Sequence, residues 1–305
     1  MRKMPNRQEH TRRGRSTTRG WYLVSVFLSL TACGRRLSLS DLTPVFVPTA
    51  TATVIASATP VASPTFTPAP PCEEESGVTE THSLATDYLP APLRFVVHLP
   101  PGYACDQSQR YPVLYLFHGL LYDETQWERL GALTIADHLI ADGEVAPFLI
   151  VLPYDSSSQE PGQYRFAEAI GEALVPYLDS HYCTCTQASC RAVGGVSRGA
   201  GWAIHLGLTR PDLFSAIGAH SPAPFWVDWP RYDDWLGALS SASFPRFWLD
   251  IGESDPLRPS AQQLEALLNA YGVPHEWHLF QGEHNEEYWH AHMELYLRWY
   301  TAVWP

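Results

Sequence analysis

Basic side chains are scarce in this sequence of 305 residues, in which lysine occurs only once, as Lys3. Twenty Lys and Arg residues stand against 32 Asp and Glu residues, a formal net charge of −12. Seven of the basic residues and one acidic residue lie in residues 1–33, so the remainder holds 13 basic and 31 acidic residues and a formal charge of −18. Such a surface repels nucleic acid and anionic lipid, which excludes nucleic-acid binding through a basic patch.

The apolar run near the N-terminus, Trp21–Leu30, is too short to span a bilayer. It follows the basic leader and precedes Leu30-Thr31-Ala32-Cys33, an order that predicts a secretory signal over residues 1–33. Leu-Thr-Ala-Cys also resembles the lipobox of bacterial lipoproteins, in which the cysteine becomes the lipidated first residue. We therefore predict an extracytoplasmic protein held at the cell envelope by a lipid on Cys33; an ordinary signal peptide with an incidental Cys33 is the alternative.

A second segment, residues 34–71, lacks any periodic apolar face. Proline recurs in it at positions 44, 48, 60, 64, 68, 70 and 71, among threonine, serine and alanine. Such a composition cannot bury enough surface to offset chain entropy, so the segment is predicted to be an extended stalk. Residues 72–305 remain, a length consistent with one α/β domain.

Paired C-x-x-C elements are also missing, which argues against a zinc site. Five cysteines follow Cys33, so at most two disulfides form among them: Cys72, Cys105, Cys183, Cys185 and Cys190. A bridge within residues 183–190 would pin a surface loop, and a Cys72–Cys105 pair is plausible, but connectivity stays open. We expect neither a metal nor a cofactor.

Short apolar runs alternate with helical patterns along residues 93–303. The runs have the length and continuity of strands buried on both faces, which predicts a mostly parallel sheet covered by helices. The predicted strands are 93–99, 111–117, 146–152, 191–193, 214–219, 247–252 and 276–280, and the predicted helices are 127–140, 166–178, 202–209, 259–271 and 285–303.

The motif with the clearest chemistry is Gly195-x-Ser197-x-Gly199, between a predicted strand and a predicted helix. This G-x-S-x-G spacing is typical of a nucleophile elbow, in which a sharp turn exposes the serine hydroxyl at a helix N-terminus. The flanking positions must lack bulky side chains for the turn to close. A tight turn with an incidental serine is the alternative interpretation.

A nucleophilic serine needs a base and an orienting acid. His284 lies after the last predicted strand, where the chain order Ser, acid, His places the base. Asp255 is the predicted acid because it stands in a loop beyond the strand at 247–252, whereas Asp250 is still inside that strand. A metal trio of His284 with His290 and His292 would lack the i, i+4 pairing of a zincin helix.

The oxyanion formed during attack requires backbone amide donors. We predict one from Arg198, directly after the nucleophile, and one from Leu120, after the turn at His118-Gly119. For substrate binding we predict Trp127, Trp226 and Trp229; the last two lie in an aromatic-rich segment between Pro222 and Trp235, which could instead pack a surface helix.

Together these stretches resemble the putative-esterase family of α/β-hydrolases, which includes feruloyl and acetylxylan esterases, S-formylglutathione hydrolase and mycolyltransferases. The matching segments are Leu99–Tyr103, Tyr111–Gly119, Gly194–Gly199, Gly252–Asp255, Gly282–His284 and Tyr288-Trp289. The family often has methionine where Arg198 stands.

The resemblance implies an α/β-hydrolase fold and a Ser197–His284–Asp255 triad, and so a serine esterase acting on small-molecule or carbohydrate esters. An acyltransferase with the same triad and a non-catalytic binding lipoprotein are the alternatives.

Overall fold

The computed structural model describes residues 76–105, 109–239 and 244–304. The predicted leader, the predicted stalk, Cys33 and Cys72 lie outside these residues. The described part of the chain is built on one eight-stranded sheet with the strand order β1-β2-β4-β3-β5-β6-β7-β8. The strands are β1 Val78–Leu84, β2 Leu93–Leu99, β3 Val113–Phe117, β4 Leu149–Pro153, β5 Arg191–Val196, β6 Ala216–His220, β7 Arg246–Gly252 and β8 His275–Phe280.

The sheet is mostly parallel, as the sequence predicts. Strand β2 pairs antiparallel with β1 and β4, and every pairing from β4 through to β8 is parallel. Every residue of β3, β4, β5 and β6 is buried, because helices cover both faces of the central strands. The carboxyl ends of these strands therefore meet at one edge, where loops can converge on a site.

Two of the predicted helices are each divided in two. Gly131, at φ 83°, separates α1 from α2, and His292 separates α8 from α9. The α-helices and the π-helical segment of the described residues are α1 Gln126–Arg129, α2 Ala132–Ala141, α3 Phe166–Glu168, the π-helical segment Ala169–Leu174, α4 Val175–His181, α5 Arg198–Thr209, α6 Tyr232–Ala238, α7 Arg258–Ala270, α8 Glu286–Ala291 and α9 Met293–Thr301. None of the described helices is both long and apolar enough to cross a bilayer.

Two disulfides lie at the margin of the sheet. Cys185 bonds to Cys190, within the predicted loop, and Cys105 bonds to Cys183. The Cys72–Cys105 pairing is therefore wrong, because the chain before β3 brings Cys105 beside the loop that precedes β5. Disulfides of this kind are typical of extracytoplasmic proteins.

Candidate active site

Ser197 stands between the end of β5 and the first residue of α5, at φ 54° and ψ −118°. This left-handed backbone region is costly for a serine, and it lifts the side chain out of the sheet edge. The flanking positions must be glycine because a Cβ at either one would clash with the backbone. A Cβ on Gly195 would lie 2.1 Å from the carbonyl carbon of Gly199, and a Cβ on Gly199 would lie 2.1 Å from the Phe117 carbonyl oxygen.

His284 and Asp255 come to Ser197 from the loops after β8 and β7. His284 Nε2 is 2.9 Å from Ser197 Oγ, and His284 Nδ1 is 2.7 Å from Asp255 Oδ2. The other carboxylate oxygen of Asp255 accepts the Leu257 amide at 2.8 Å, which fixes its orientation. A carboxylate at Nδ1 keeps the proton on that nitrogen, so Nε2 is left to accept the serine proton.

The two residues of this pair differ in access to solvent. The Asp255 side chain is fully buried, whereas the His284 side chain keeps 22% of its surface exposed. The edge of Trp289 supports the imidazole, with ring centroids 5.2 Å apart. The imidazole can therefore reach a bound ester while its partner carboxylate is shielded from water.

Asp250 lies in β7 and belongs to a separate buried network. Its Oδ1 accepts from His220 Nδ1 at 2.6 Å and from Trp248 Nε1 at 2.7 Å. Its Oδ2 accepts from the hydroxyls of Tyr288 and Tyr296, both at 2.8 Å. Burial alone would raise the pKa of Asp250, but attraction to His220 and these hydrogen bonds outweigh it and lower the pKa.

The peptide that joins Gly119 to Leu120 lies near Ser197. A Cβ on Gly119 would lie 3.7 Å from Ser197 Cβ. The carbonyl of Gly119 accepts from the Tyr122 amide at 3.2 Å and from His118 Nδ1 at 2.8 Å. The N–H of Leu120 shares that trans peptide plane and points the opposite way, and it donates to no other group among the described residues.

The Arg198 amide is also oriented by hydrogen bonds to the carbonyl in its own peptide plane. The carbonyl of Ser197, in the same peptide plane, accepts from the amides of Gly201 at 3.2 Å and Ala223 at 3.0 Å. Within the described part of the chain, the Arg198 amide also has no protein acceptor. As the first residue of α5, Arg198 presents this donor at the positive end of the helix dipole. Two amides near Ser197 thus lack a protein acceptor anywhere in the described residues, which is what an oxyanion site requires of its donors.

Two open cavities meet at Leu120 and Arg198. The first, about 400 Å³, is polar and is lined by His118, Leu120, Leu121, Tyr122, Tyr154, Asp155, Ser156, Ser157, Ser158 and Arg198. The second, about 500 Å³, is more apolar and is lined by Leu120, Glu160, Arg198, Ala223, Pro224, Phe225, Trp226, Trp229, Leu257, Ser260 and Gln263. A group bound between Leu120 and Arg198 would therefore border both cavities.

The three tryptophans predicted to bind substrate lie in different environments. Trp226, which is 81% exposed, and Trp229 both line the apolar cavity. Trp127 is fully buried, and its indole N–H donates to the Phe117 carbonyl at 3.0 Å. The assignment of Trp127 to substrate binding is wrong, because α1 turns this face toward the core beneath the sheet.

Sequence reasoning missed two residues that hold the site. Gln126 is fully buried, and its Oε1 accepts the Gly119 amide at 2.7 Å, so that amide is not available to substrate. Asp155 accepts from Arg198 Nε at 2.8 Å. Nothing in the pattern around Gln126 reveals it, but Asp155 follows the end of β4, a position where parallel sheets commonly place functional side chains.

The histidines of the possible metal trio contact different groups. His290 Nδ1 faces the Leu130 carbonyl, and His292 Nδ1 faces the Tyr288 carbonyl. Over the described ranges, no group of His, Cys, Asp and Glu side chains is arranged to hold a metal ion.

Comparison with solved structures shows the α/β-hydrolase fold. A ferulic acid esterase superposes with a TM-score of 0.66 at 23% identity, over 75% of this chain and 99% of the other. A ferulic acid esterase from Anaeromyces mucronatus, solved with ferulic acid, gives a TM-score of 0.60 at 23% identity, over 76% and 92%. The family described as "Putative esterase" matches residues 86–300. The chain belongs to that family, and its fold and family are those of a carboxylic-ester hydrolase.

A curated relative is an endo-1,4-β-xylanase/feruloyl esterase of Xylanibacter ruminicola. It is 35% identical over 133 residues, which make up 40% of this chain and 18% of the relative. A second, endo-1,4-β-xylanase Y of Acetivibrio thermocellus, is 29% identical over 118 residues, 37% of this chain and 11% of that protein. The chain thus spans less than a fifth of the length of the curated relatives it matches.

Proposed function

We propose that this protein is a serine esterase that cleaves acyl groups, including aromatic acyl groups such as feruloyl, from carbohydrate. The observation that carries the proposal is the continuous hydrogen-bonded series from Ser197 Oγ through His284 to Asp255. Membership of the esterase family and likeness to feruloyl esterases support the substrate class.

In the proposed acylation, Ser197 Oγ attacks the ester carbonyl carbon while His284 Nε2 takes the hydroxyl proton. Asp255 stabilises the imidazolium that results. The carbonyl oxygen becomes an oxyanion held by the Leu120 and Arg198 amides. Collapse of this intermediate breaks the bond to the alcohol oxygen, which receives the proton from His284 and leaves.

Deacylation repeats these steps with water. His284 removes a proton from water as the water oxygen attacks the acyl-enzyme carbonyl. The second tetrahedral intermediate collapses to the free carboxylic acid, and the proton returns to Ser197 Oγ. An acyltransferase would admit an alcohol or sugar at this step instead of water, so the products distinguish the two reactions.

The two cavities support an assignment of substrate parts. Aromatic side chains in the apolar cavity, above all Trp226 and Trp229, suit an aryl acyl group. Serines and tyrosines in the polar cavity suit a hydroxyl-rich leaving group. The two disulfides and the predicted leader support an extracytoplasmic location, and we propose that a lipid on Cys33 anchors the protein.

The central experiment combines labelling with turnover. A fluorophosphonate probe should label the wild type and fail to label Ser197→Ala. Wild type that has not been exposed to the probe should hydrolyse 4-nitrophenyl acetate, methyl ferulate and a feruloylated arabinose, with free acid as the product even when free sugar is added. Absence of labelling together with absence of turnover would refute the esterase proposal.

A second arm tests the aryl cavity. Trp226→Ala should lower kcat/KM for methyl ferulate more than for the acetyl ester, by about tenfold if one aromatic contact of about 1.4 kcal/mol is lost. Trp235→Ala is the matched control, since this indole lies in the same segment but packs on Tyr232 and lines neither cavity. Equal losses for both esters would contradict the acyl assignment.

A further inference from the structure

We propose that Asp155 is a positioning residue that orients both amide donors of the oxyanion site. The inference rests on the proposed function, because it concerns the amides of Leu120 and Arg198 that would bind the oxyanion. Asp155 is 7% exposed and lies two residues beyond the end of β4. Its carboxylate bonds the side chain of Arg198, and its backbone amide bonds His118, which contacts the Gly119–Leu120 peptide.

The carboxylate branch leads to Arg198. Asp155 Oδ2 accepts from Arg198 Nε at 2.8 Å and from Trp202 Nε1 at 2.7 Å. These side chains lie one turn apart at the start of α5, so a single oxygen ties the first turn of that helix to the loop after β4. The Arg198 guanidinium also donates to the Gln159 carbonyl in the same loop. The amide of Arg198 therefore sits at a helix end that is fixed from outside the helix.

The backbone branch leads to Leu120. The amide of Asp155 donates to His118 Nε2 at 2.9 Å, so this nitrogen carries no proton and Nδ1 does. His118 Nδ1 then donates to the Gly119 carbonyl at 2.8 Å, in the peptide plane that carries the Leu120 N–H. Burial lowers the pKa of His118 and so favours the neutral ring that this arrangement needs.

The contact between Asp155 and the Arg198 guanidinium depends on the negative charge of the carboxylate. Arg198 is only 8% exposed, and a buried guanidinium without its counter-charge is strongly destabilised. Asparagine offers one acceptor oxygen, whereas the carboxylate serves Arg198 and Trp202 through Oδ2 and the Ser157 amide through Oδ1 at 3.1 Å. Asp155→Asn should therefore release the guanidinium and allow the start of α5 to shift.

The test compares Asp155→Asn with a matched control, Asp137→Asn. Asp137 is also 7% exposed and accepts from a histidine, His98 Nε2 at 2.8 Å, and from an amide, that of Gly77 at 2.9 Å, on α2 away from the site. Removing one oxyanion donor costs about 10²–10³ in kcat, so displacing one should cost about 10- to 100-fold. We expect that loss in Asp155→Asn with little change in KM.

Two further readouts separate positioning from stability. A trifluoromethyl ketone, which forms an oxyanion on Ser197, should lose affinity in Asp155→Asn by the same factor as kcat/KM, and Asp137→Asn should keep wild-type turnover per titrated site. The double variant Asp155→Asn/Arg198→Met should lose no more turnover than the worse single variant, because both act through one contact.

Several outcomes would overturn the proposal. These are wild-type turnover in folded Asp155→Asn, a loss confined to KM, an equal loss in Asp137→Asn, or multiplied losses in the double variant. Ring ¹⁵N shifts that place the His118 proton on Nε2 would remove the Leu120 branch. A wild type that is neither labelled by the fluorophosphonate nor active refutes the proposed function itself, a result distinct from all of these.

Discussion

Replacing Asp255 by asparagine should abolish turnover by forcing the wrong tautomer on His284. The Leu257 amide donates to Asp255 Oδ1, so the single oxygen of asparagine will stay there. The side-chain NH₂ then replaces Oδ2 and faces His284 Nδ1, which must become an acceptor. The imidazole proton moves to Nε2, and Nε2 can no longer take the proton of Ser197. In serine proteases this error costs about 10⁴ in turnover, or about 5 kcal/mol of transition-state stabilisation.

Asp250→Asn should act on stability instead. Asparagine keeps its oxygen toward His220 and Trp248, whose N–H groups can only donate there, and turns its NH₂ toward the hydroxyls of Tyr288 and Tyr296. Four hydrogen bonds to a carboxylate weaken, and the tyrosine protons lose their acceptor. A buried donor left unsatisfied costs about 1–3 kcal/mol, so two give about 2–6 kcal/mol.

The assay separates the two effects within one preparation. Each variant is purified, its melting is followed by circular dichroism, and turnover of 4-nitrophenyl acetate is divided by the concentration of cooperatively folded protein. Asp255→Asn should melt near the wild-type temperature with turnover reduced about 10⁴-fold. A folded Asp255→Asn with near-normal turnover, beside a folded but inactive Asp250→Asn, would exchange the two assignments and refute the reasoning.

Three further changes have defined outcomes. Burial lowers the pKa of His118 in the folded protein below its usual value of 6.5. Between the folded and unfolded pKa values the unfolded chain binds more protons, so stability falls as pH drops below 6.5. His118→Gln should make this fall smaller in a series of Tm values measured against pH. Gly218→Ala would place Cβ 1.7 Å from Tyr300 Oη and should cost about 3 kcal/mol in urea unfolding, against about 1–2 kcal/mol for Gly143→Ala, which is left-handed but uncrowded. Cys33→Ala should move the full-length protein from the membrane to the soluble fraction, and unchanged fractionation would contradict the anchor.

The sequence predicts the centre of the sheet because the residues of β3, β4, β5 and β6 are mostly apolar and all of them are buried. The predicted range 93–99 coincides with β2, and the elbow lies between β5 and α5 as expected. No apolar pattern marks β1, Val78–Leu84, because the five central residues of this edge strand are all polar and none of its residues is buried. Local pattern thus identifies strands buried on both faces and overlooks one stabilised only by pairing with β2.

The residues that surround the chemistry were harder to predict, because their roles depend on tertiary contacts. Trp127 has the aromatic character of a binding residue, and only its burial shows otherwise. Asp155 joins His118 to Arg198, residues that lie 80 positions apart in the chain but one hydrogen bond away on each side of it. The apolar periodicity of the sequence cannot reveal such an arrangement.

Two of the Asp–His pairs in the described chain have similar geometry and lie at neighbouring strand ends, and their surroundings decide what each can do. His220 is held by Asp250 at 2.6 Å, and its Nε2 faces the Tyr300 hydroxyl at 2.9 Å in a core without solvent. His284 is held at 2.7 Å by a carboxylate just beyond its strand, and its Nε2 faces a strained serine and open space. A carboxylate inside a strand can reach only neighbouring strands and covering helices, whereas one in the following loop can cross the sheet edge. The position of the aspartate, inside a strand or in the loop after it, therefore distinguishes the two pairs both in the sequence and in the structure.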